Sequence, residues 1–203
     1  MCAATNRRET LIPGSRAAQF ELFPQPQAGP EGFRYRPDII NGSEEASLAA
    51  QLAELAFAPF NFHGHLALRK VVGFGLRYDP DRREVVAGPP IPPWLSDLRD
   101  RTANFTGHPP EALLHVLINE YCPGAGVSWH RDQPQYKDVA GVSLLAPSHM
   151  RFRRKSGQTW ERCAALLEPR SVYMLTGAAR QIWEHSIPPL ERRRYSITFR
   201  TLA

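Results

Sequence analysis

Asn119-Glu120-Tyr121-Cys122-Pro123-Gly124-Ala125-Gly126-Val127-Ser128-Trp129-His130-Arg131-Asp132 is the stretch from which the fold is read. An apolar run from Ala112 delivers Asn119 and Tyr121 as the end of a buried strand, and Pro123 to Gly126 turns the chain toward His130. His130 and Asp132 stand at i and i+2, so on an extended strand both side chains fall on one face. An imidazole and a carboxylate are thereby brought to a common point. A lone His-x-Asp is also a common solvated strand end, so its meaning depends on the rest of the chain.

Downstream, Gln181-Ile-Trp-Glu-His185-Ser-Ile-Pro188 supplies a second imidazole. Two histidines and one carboxylate form the facial triad of non-heme Fe(II) oxygenases, which leaves coordination positions open for a co-substrate and dioxygen. Zinc accepts the same donors and remains the competing metal. Arg194-Tyr-Ser196-Ile-Thr198-Phe-Arg200 alternates strictly: Arg194, Ser196, Thr198 and Arg200 share one strand face, and Tyr195, Ile197 and Phe199 share the other. Two guanidiniums on an inward polar face require anions, and arginine suits bidentate carboxylate binding, so a dicarboxylate co-substrate meets the demand. An amphipathic edge strand with solvated arginines is the plain alternative.

Asn119-x-Tyr121-x-x-Gly124, His130-x-Asp132, His185 and Arg194-x-Ser196-x-Thr198-x-Arg200, in that order, resemble the AlkB family of Fe(II)- and 2-oxoglutarate-dependent dioxygenases. The similarity is strongest over residues 110–203 and weaker from about 60 to 110. It implies an all-β core with flanking helices, a double-stranded β-helix (a cupin-like jelly roll), with an N-terminal extension covering the substrate. It further implies Fe(II) on His130, Asp132 and His185, 2-oxoglutarate held by Asn119, Tyr121, Arg194, Ser196 and Arg200, and dioxygen as oxidant. Arg200 would take the carboxylate nearer the metal and Arg194 the distal one. Ser196 stands where the family often has Asn. The implied reaction is oxidative demethylation of N-alkylated DNA or RNA bases, with release of formaldehyde, succinate and CO2. A protein side-chain hydroxylase or demethylase on the same iron site, and a nucleic-acid-binding module with a non-catalytic metal site, are the alternatives.

A chain of 203 residues with 42% hydrophobic content builds one compact domain, expected over 19–203, with 60–92 as a nucleotide-recognition lid and 110–203 as the catalytic core. Cys2, Cys122 and Cys163 are odd in number and lack metal-pair spacing, which disfavours a disulfide framework and suits a reducing cytoplasm. There is no apolar run of about 18 residues, so no membrane span is expected, and the protein reads as a cytoplasmic monomer. The net charge of +5 permits a nucleic-acid partner, and its clusters at Arg69-Lys70, Arg82-Arg83, Arg151-x-Arg153-Arg154-Lys155 and Arg192-Arg193-Arg194 offer phosphate contacts.

Residues 1–18 read as a mobile leader, followed by a short strand over 18–23, a Pro/Gly loop from Pro24 to Pro30 and an alternating strand over 32–36, flanking the barrel. Ser43 caps a helix whose Leu48, Leu52 and Leu55 pack on a sheet and which Pro59 stops. The aromatic, basic stretch from Phe60 to Tyr78 contains Gly73 and Gly75, which suggest close approach of a ligand or local mobility. In AlkB-like proteins this region recognises a nucleotide, and Phe74 or Tyr78 would supply a stacking plate for an extruded base. His63 and His65 lack downstream partners and are given no metal. A turn at Asp79 to Asp81 and a proline-rich connection over 88–93 lead to a second helix from Trp94 to about Asn104. After Asp132 the family often carries acidic residues that read the base; here Pro134 and Gln135 occupy that region, and Gln135 is the candidate base contact. Strands follow over 139–145, 150–154, 159–167 and 172–175, with a turn over 177–180.

Overall fold

A computed structural model of the protein describes residues 29–62, 65–79 and 82–203. The expected leader, the strand over 18–23, most of the loop after Pro24, His63 and the Pro80–Asp81 turn lie outside the described residues.

β12 (Arg194–Leu202) is the central strand, paired antiparallel on one side with β5 (His115–Tyr121) and on the other with β7 (Tyr136–Leu144). This sheet continues outward through β10 (Val172–Leu175) to β1 (Phe33–Arg36), and through β3 (His65–Asp79) to β2 (Ala58–Phe62), with β4 (Glu84–Ala87) also paired to β3. A smaller sheet faces it, ordered β6 (Val127–His130), β11 (Glu184–Ile187), β8 (Ser148–Ser156), β9 (Thr159–Leu167). Two facing antiparallel sheets, one backed by helices, form the expected jelly roll.

The alternation of β12 builds both layers. Ile197 and Phe199, with Ile118 and Val116 of β5 and Val142 of β7, are wholly buried against helix α1 (Gly42–Ala53) and helix α2 (Ser96–Thr106) through Leu52 and Leu98. Each large apolar side chain so buried contributes about 1.5–3 kcal/mol. The other face looks into the space between the sheets, where Val139, Met150, Phe152, Tyr173 and Trp183 form a second core. The polar half of β12 sits at the edge of that space.

Several boundaries differ from those read in the sequence. Asn41 rather than Ser43 caps α1: its side chain accepts from Glu44 N at 2.9 Å while Glu44 accepts from Asn41 N at 2.7 Å, closing a capping box. The helix ends at Ala53, and Pro59 lies inside β2, at the sheet edge where a missing N–H is tolerated. The strand over 32–36 joins the large sheet beside β10 instead of flanking it. The second helix opens with a 3-10 turn at Pro93–Leu95 and runs to Thr106, stopped by left-handed Gly107. The turn over 177–180 is a short helix, α3 (Gly177–Gln181). The lid region is largely sheet: Lys70 to Gly75 of β3 pair residue by residue with Glu120 to His115 of β5. Gly75 serves that sheet rather than a ligand, because at φ +79 a Cβ there would lie 2.1 Å from the Leu114 carbonyl oxygen.

Candidate active site

Three strands deliver the polar floor of the site in register. Asn119 of β5, Ser196 of β12 and Ser143 of β7 stand side by side across the sheet, with Arg194 opposite Tyr121 and Arg200 opposite His115 at either end. The small sheet closes over them: His130 of β6 is paired directly with His185 of β11, and their rings lie 4.3 Å apart. All three candidate metal ligands, His130, Asp132 and His185, line one cavity with Asn119, Tyr121, Arg194, Ser196 and Arg200. Sequence positions 119 to 200 thus meet at one point.

The donors are set for a cation. His130 Nδ1 is 2.9 Å from the Ser128 carbonyl, and since a carbonyl only accepts, Nδ1 donates to it and Nε2 is the ring nitrogen left for another partner. His185 Nε2 is 3.7 Å from Asp132 Oδ2, and among the described residues its buried Nδ1 has no hydrogen-bond partner. Burial, followed by the charges of His130, Arg180 and Arg200, pushes His185 down to about 4 against the pull of Asp132, leaving a neutral imidazole. Burial raises Asp132, but Arg200 and then the two imidazoles outweigh it and hold the carboxyl below its usual range. Among the described residues no three such side chains are already drawn onto a single coordination point: Arg200 Nη2 donates to Asp132 Oδ1 at 3.2 Å. Donors at right angles on a metal lie about 3 Å apart, so the His185–Asp132 pair is within about 1 Å of coordinating distance. The neutral His185 imidazole, the ionised Asp132 carboxylate and the His130 ring set beside them are a donor set that fits a divalent metal.

The other end of the cavity is cationic. Arg194 is 1% exposed; its Nη2 donates to Ser143 Oγ at 2.6 Å, its guanidinium lies 5.2 Å from the Tyr121 ring, and among the described residues its Nε has no partner. Among the described residues it has no carboxylate. A buried guanidinium without an anion is costly, and a ligand carboxylate would repay that cost. Arg200, by contrast, is compensated by Asp132 and by His115, whose Nδ1 accepts from its Nη1 at 3.2 Å. Burial, with Arg200 adding to it, drives His115 down to about 3, so it remains a neutral acceptor, stacked on Tyr136 at 4.9 Å.

Sequence reading missed three contributors. Arg69, read only as part of a surface cluster, lines the cavity, donates to Asn119 Oδ1 at 2.7 Å and lies over Phe60 at 4.0 Å, while its neighbour Lys70 turns away toward Glu120. With its oxygen engaged, the Asn119 amide is left as a donor. Tyr173 also lines the cavity; burial pushes its hydroxyl up to about 12, and its ring occupies the place of a Cβ at Gly141. Ser143 is the third. The signal available for Arg69 and Ser143 was strand alternation, inward at 69 and outward at 70, and inward at 143. Phe74, Tyr78 and Gln135 do not line this cavity. Phe74 packs against the helix-side core, because it lies on the outward face of a strand held in the large sheet; the Tyr78 backbone N–H donates to Tyr136 Oη at 3.3 Å; among the described residues the buried Gln135 Oε1 has no partner.

The family model described as the 2OG-Fe(II) oxygenase superfamily matches residues 34–200. The chain belongs to that superfamily. Its cofactor is therefore Fe(II), with 2-oxoglutarate and dioxygen as co-substrates. Curated relatives include the Alkylated DNA repair protein ALKBH8 homolog of Arabidopsis thaliana, 30% identical over 77% of this chain and 51% of the relative. The alpha-ketoglutarate-dependent dioxygenase AlkB of Escherichia coli (strain K12) is 32% identical over 62% of this chain and 63% of the relative. These agree with the AlkB resemblance in the motifs. The chain spans about half the length of the plant relative and a quarter of the macaque tRNA (carboxymethyluridine(34)-5-O)-methyltransferase ALKBH8. Among solved structures the OsALKBH1 structure superposes with a TM-score of 0.64 at 16% identity, covering 86% of this chain and 99% of that one, and a Pseudomonas putida prolyl-4-hydroxylase with 0.56 at 13%, covering 85% and 93%. Both share the jelly-roll fold. No helix among the described residues is long and apolar enough to cross a membrane.

Proposed function

We propose that this 2OG-Fe(II) oxygenase oxidatively demethylates N-alkylated bases of DNA or RNA, releasing formaldehyde, succinate and CO2. His130, Asp132 and His185 hold the metal, and Arg194 binds the distal carboxylate of 2-oxoglutarate. Fe(II) held by these three residues would supply the redox chemistry that links decarboxylation of 2-oxoglutarate to oxygenation of a substrate C–H bond. The chain's own residues do the rest. The carbonyl of Ser128 fixes the His130 tautomer, Arg200 orients Asp132, and Asn119, Tyr121 and Ser196 line the bed on which the co-substrate lies. The walls of Val139, Met150 and Ile187 exclude water from the reacting centre.

The observation that carries this reading is the buried Arg194, without a carboxylate partner among the described residues, at one end of a cavity whose other end gathers two imidazoles and an ionised carboxylate. The nucleic-acid substrate is supported by the names of relatives: an alkylated DNA repair protein, and a zebrafish (Danio rerio) protein described as a probable RNA/DNA demethylase, 28% identical over 66% of this chain. The roles of residues 60–92 as a substrate cover and 110–203 as catalytic core belong to the same proposal.

The test is formaldehyde and succinate release from oligonucleotides bearing 1-methyladenine or 3-methylcytosine, dependent on Fe(II) and 2-oxoglutarate. Turnover absent in His130→Ala is the expected result. Release only with polypeptide substrates would overturn the nucleic-acid reading.

A further inference from the structure

The cluster Arg151-x-Arg153-Arg154-Lys155 is divided by β8. Arg154 turns away from the other three, toward Glu161 at 2.7 Å and the Trp183 ring at 4.8 Å, where its charge is balanced. Arg151, Arg153 and Lys155 point to the opposite, outer face, since Met150 and Phe152, on the alternate positions of the strand, are buried in the inter-sheet core. Register places Arg162 of β9 beside Arg153, and Trp160 beside Lys155. Trp129 joins the same face from β6, with Arg151 and Arg153 over its ring at 5.1 and 4.5 Å; Arg153 also lies 4.4 Å from Trp160. Among the described residues, four cations and two indoles therefore share this surface with one carboxylate, Glu184, which accepts from Arg153 Nε at 2.6 Å. Among the described residues, Arg151, Lys155 and Arg162 have no carboxylate partner. An outer face built only for stability would balance these charges, as the inner-facing Arg154 is balanced.

We propose that this outer face of the small sheet is a track for single-stranded nucleic acid. Cations spaced along a strip neutralise phosphates, and the two indoles packed against Arg153 offer plates for unpaired bases; a duplex would leave no base face free to stack. The track crosses four strands, about 14 Å, and one end is Trp129, whose neighbour His130 points through the sheet to the metal site. A strand lying on it is led to the rim of the cavity. The track serves the proposed nucleic-acid activity but lies outside the active-site cavity.

The test uses metal-free protein and an unmodified, labelled single-stranded oligonucleotide, so it does not depend on turnover. Anisotropy titrations at several salt concentrations compare the natural sequence with Trp160→Ala and with Lys155→Ala/Arg162→Ala. Trp160→Ala should weaken binding about tenfold, and the double variant should flatten the log–log salt slope by about 1.4. Both should keep the thermal shift produced by 2-oxoglutarate, which reports an intact cavity. Equal affinity and equal slope in all three proteins would overturn the track. So would heparin binding as tight as oligonucleotide binding with neither sensitive to Trp160, which would mark a generic polyanion surface. Oligonucleotide binding that responds to the variants without any demethylation would sustain the track and refute the demethylase reading; demethylation of a methylated strand unaffected by the variants would do the reverse.

Discussion

Replacing Arg194 by Met should separate a ligand-binding cation from a structural one. The guanidinium is 1% exposed and, among the described residues, keeps one neutral hydrogen bond, to Ser143, with an unpartnered Nε. Met fills much of the same volume, and removing an uncompensated buried charge is neutral or stabilising, so the ligand-free melting temperature should stay within about 2 °C of the natural protein or rise. A bidentate carboxylate contact is two charge-assisted hydrogen bonds of about 1.5–3 kcal/mol each, so 2-oxoglutarate affinity should fall by about 10²–10⁴. At a hundred times its dissociation constant a ligand stabilises the native state by about 2.7 kcal/mol, roughly 5–10 °C for a domain of this size. In Arg194→Met the same concentration should move the transition by about 1 °C or less. Calorimetry or dye-based melting with and without 2-oxoglutarate reads both quantities. A ligand-free protein that melts many degrees lower while keeping its full 2-oxoglutarate shift would refute the reasoning, since the partners of Arg194 would then be Ser143 and Tyr121 alone.

Asp132→Ala should behave oppositely in the ligand-free state, because it strands Arg200: a loss of about 3 kcal/mol or more in chemical denaturation, together with abolished Co(II) binding by calorimetry. His115 is held down to about 3 while the unfolded chain titrates near 6.5, so its contribution is complete above pH 6.5 and is lost as pH falls toward 3. His115→Gln should lower the slope of unfolding free energy against pH by about 1.4 kcal/mol per unit between pH 6 and 4, and an unchanged slope would contradict the burial argument. Gly75→Ala forces a Cβ onto the Leu114 carbonyl at a left-handed φ and should cost more than about 2 kcal/mol by urea denaturation. Asn41→Ala, which opens the capping box, should cost about 1 kcal/mol and lower the melting temperature without altering 2-oxoglutarate binding.

Strand alternation has a period of two and is local, so the sequence alone determined which half of Arg194 to Arg200 faces the site; His130 closes β6 and Asp132 follows just beyond the strand, so their nearness in the chain, not the pleat, keeps these two candidate ligands together, with His185 as the third. It determined the jelly-roll class for the same reason, through short alternating strands between turn residues. Register and pairing join residues far apart in the chain, and those the tertiary structure decided. Only the pairing of β3 with β5 sets Arg69 on Asn119 and turns Phe74 to the helix layer, and only the three-strand floor shows that Arg200 is already compensated while Arg194 is not. Likewise, four neighbouring basic residues read as one cluster in the sequence, but the pleat of β8 sends Arg154 to its own carboxylate and leaves the other three on an indole-bearing face. Charge is a property of composition; whether a charge has a partner depends on which strands lie side by side.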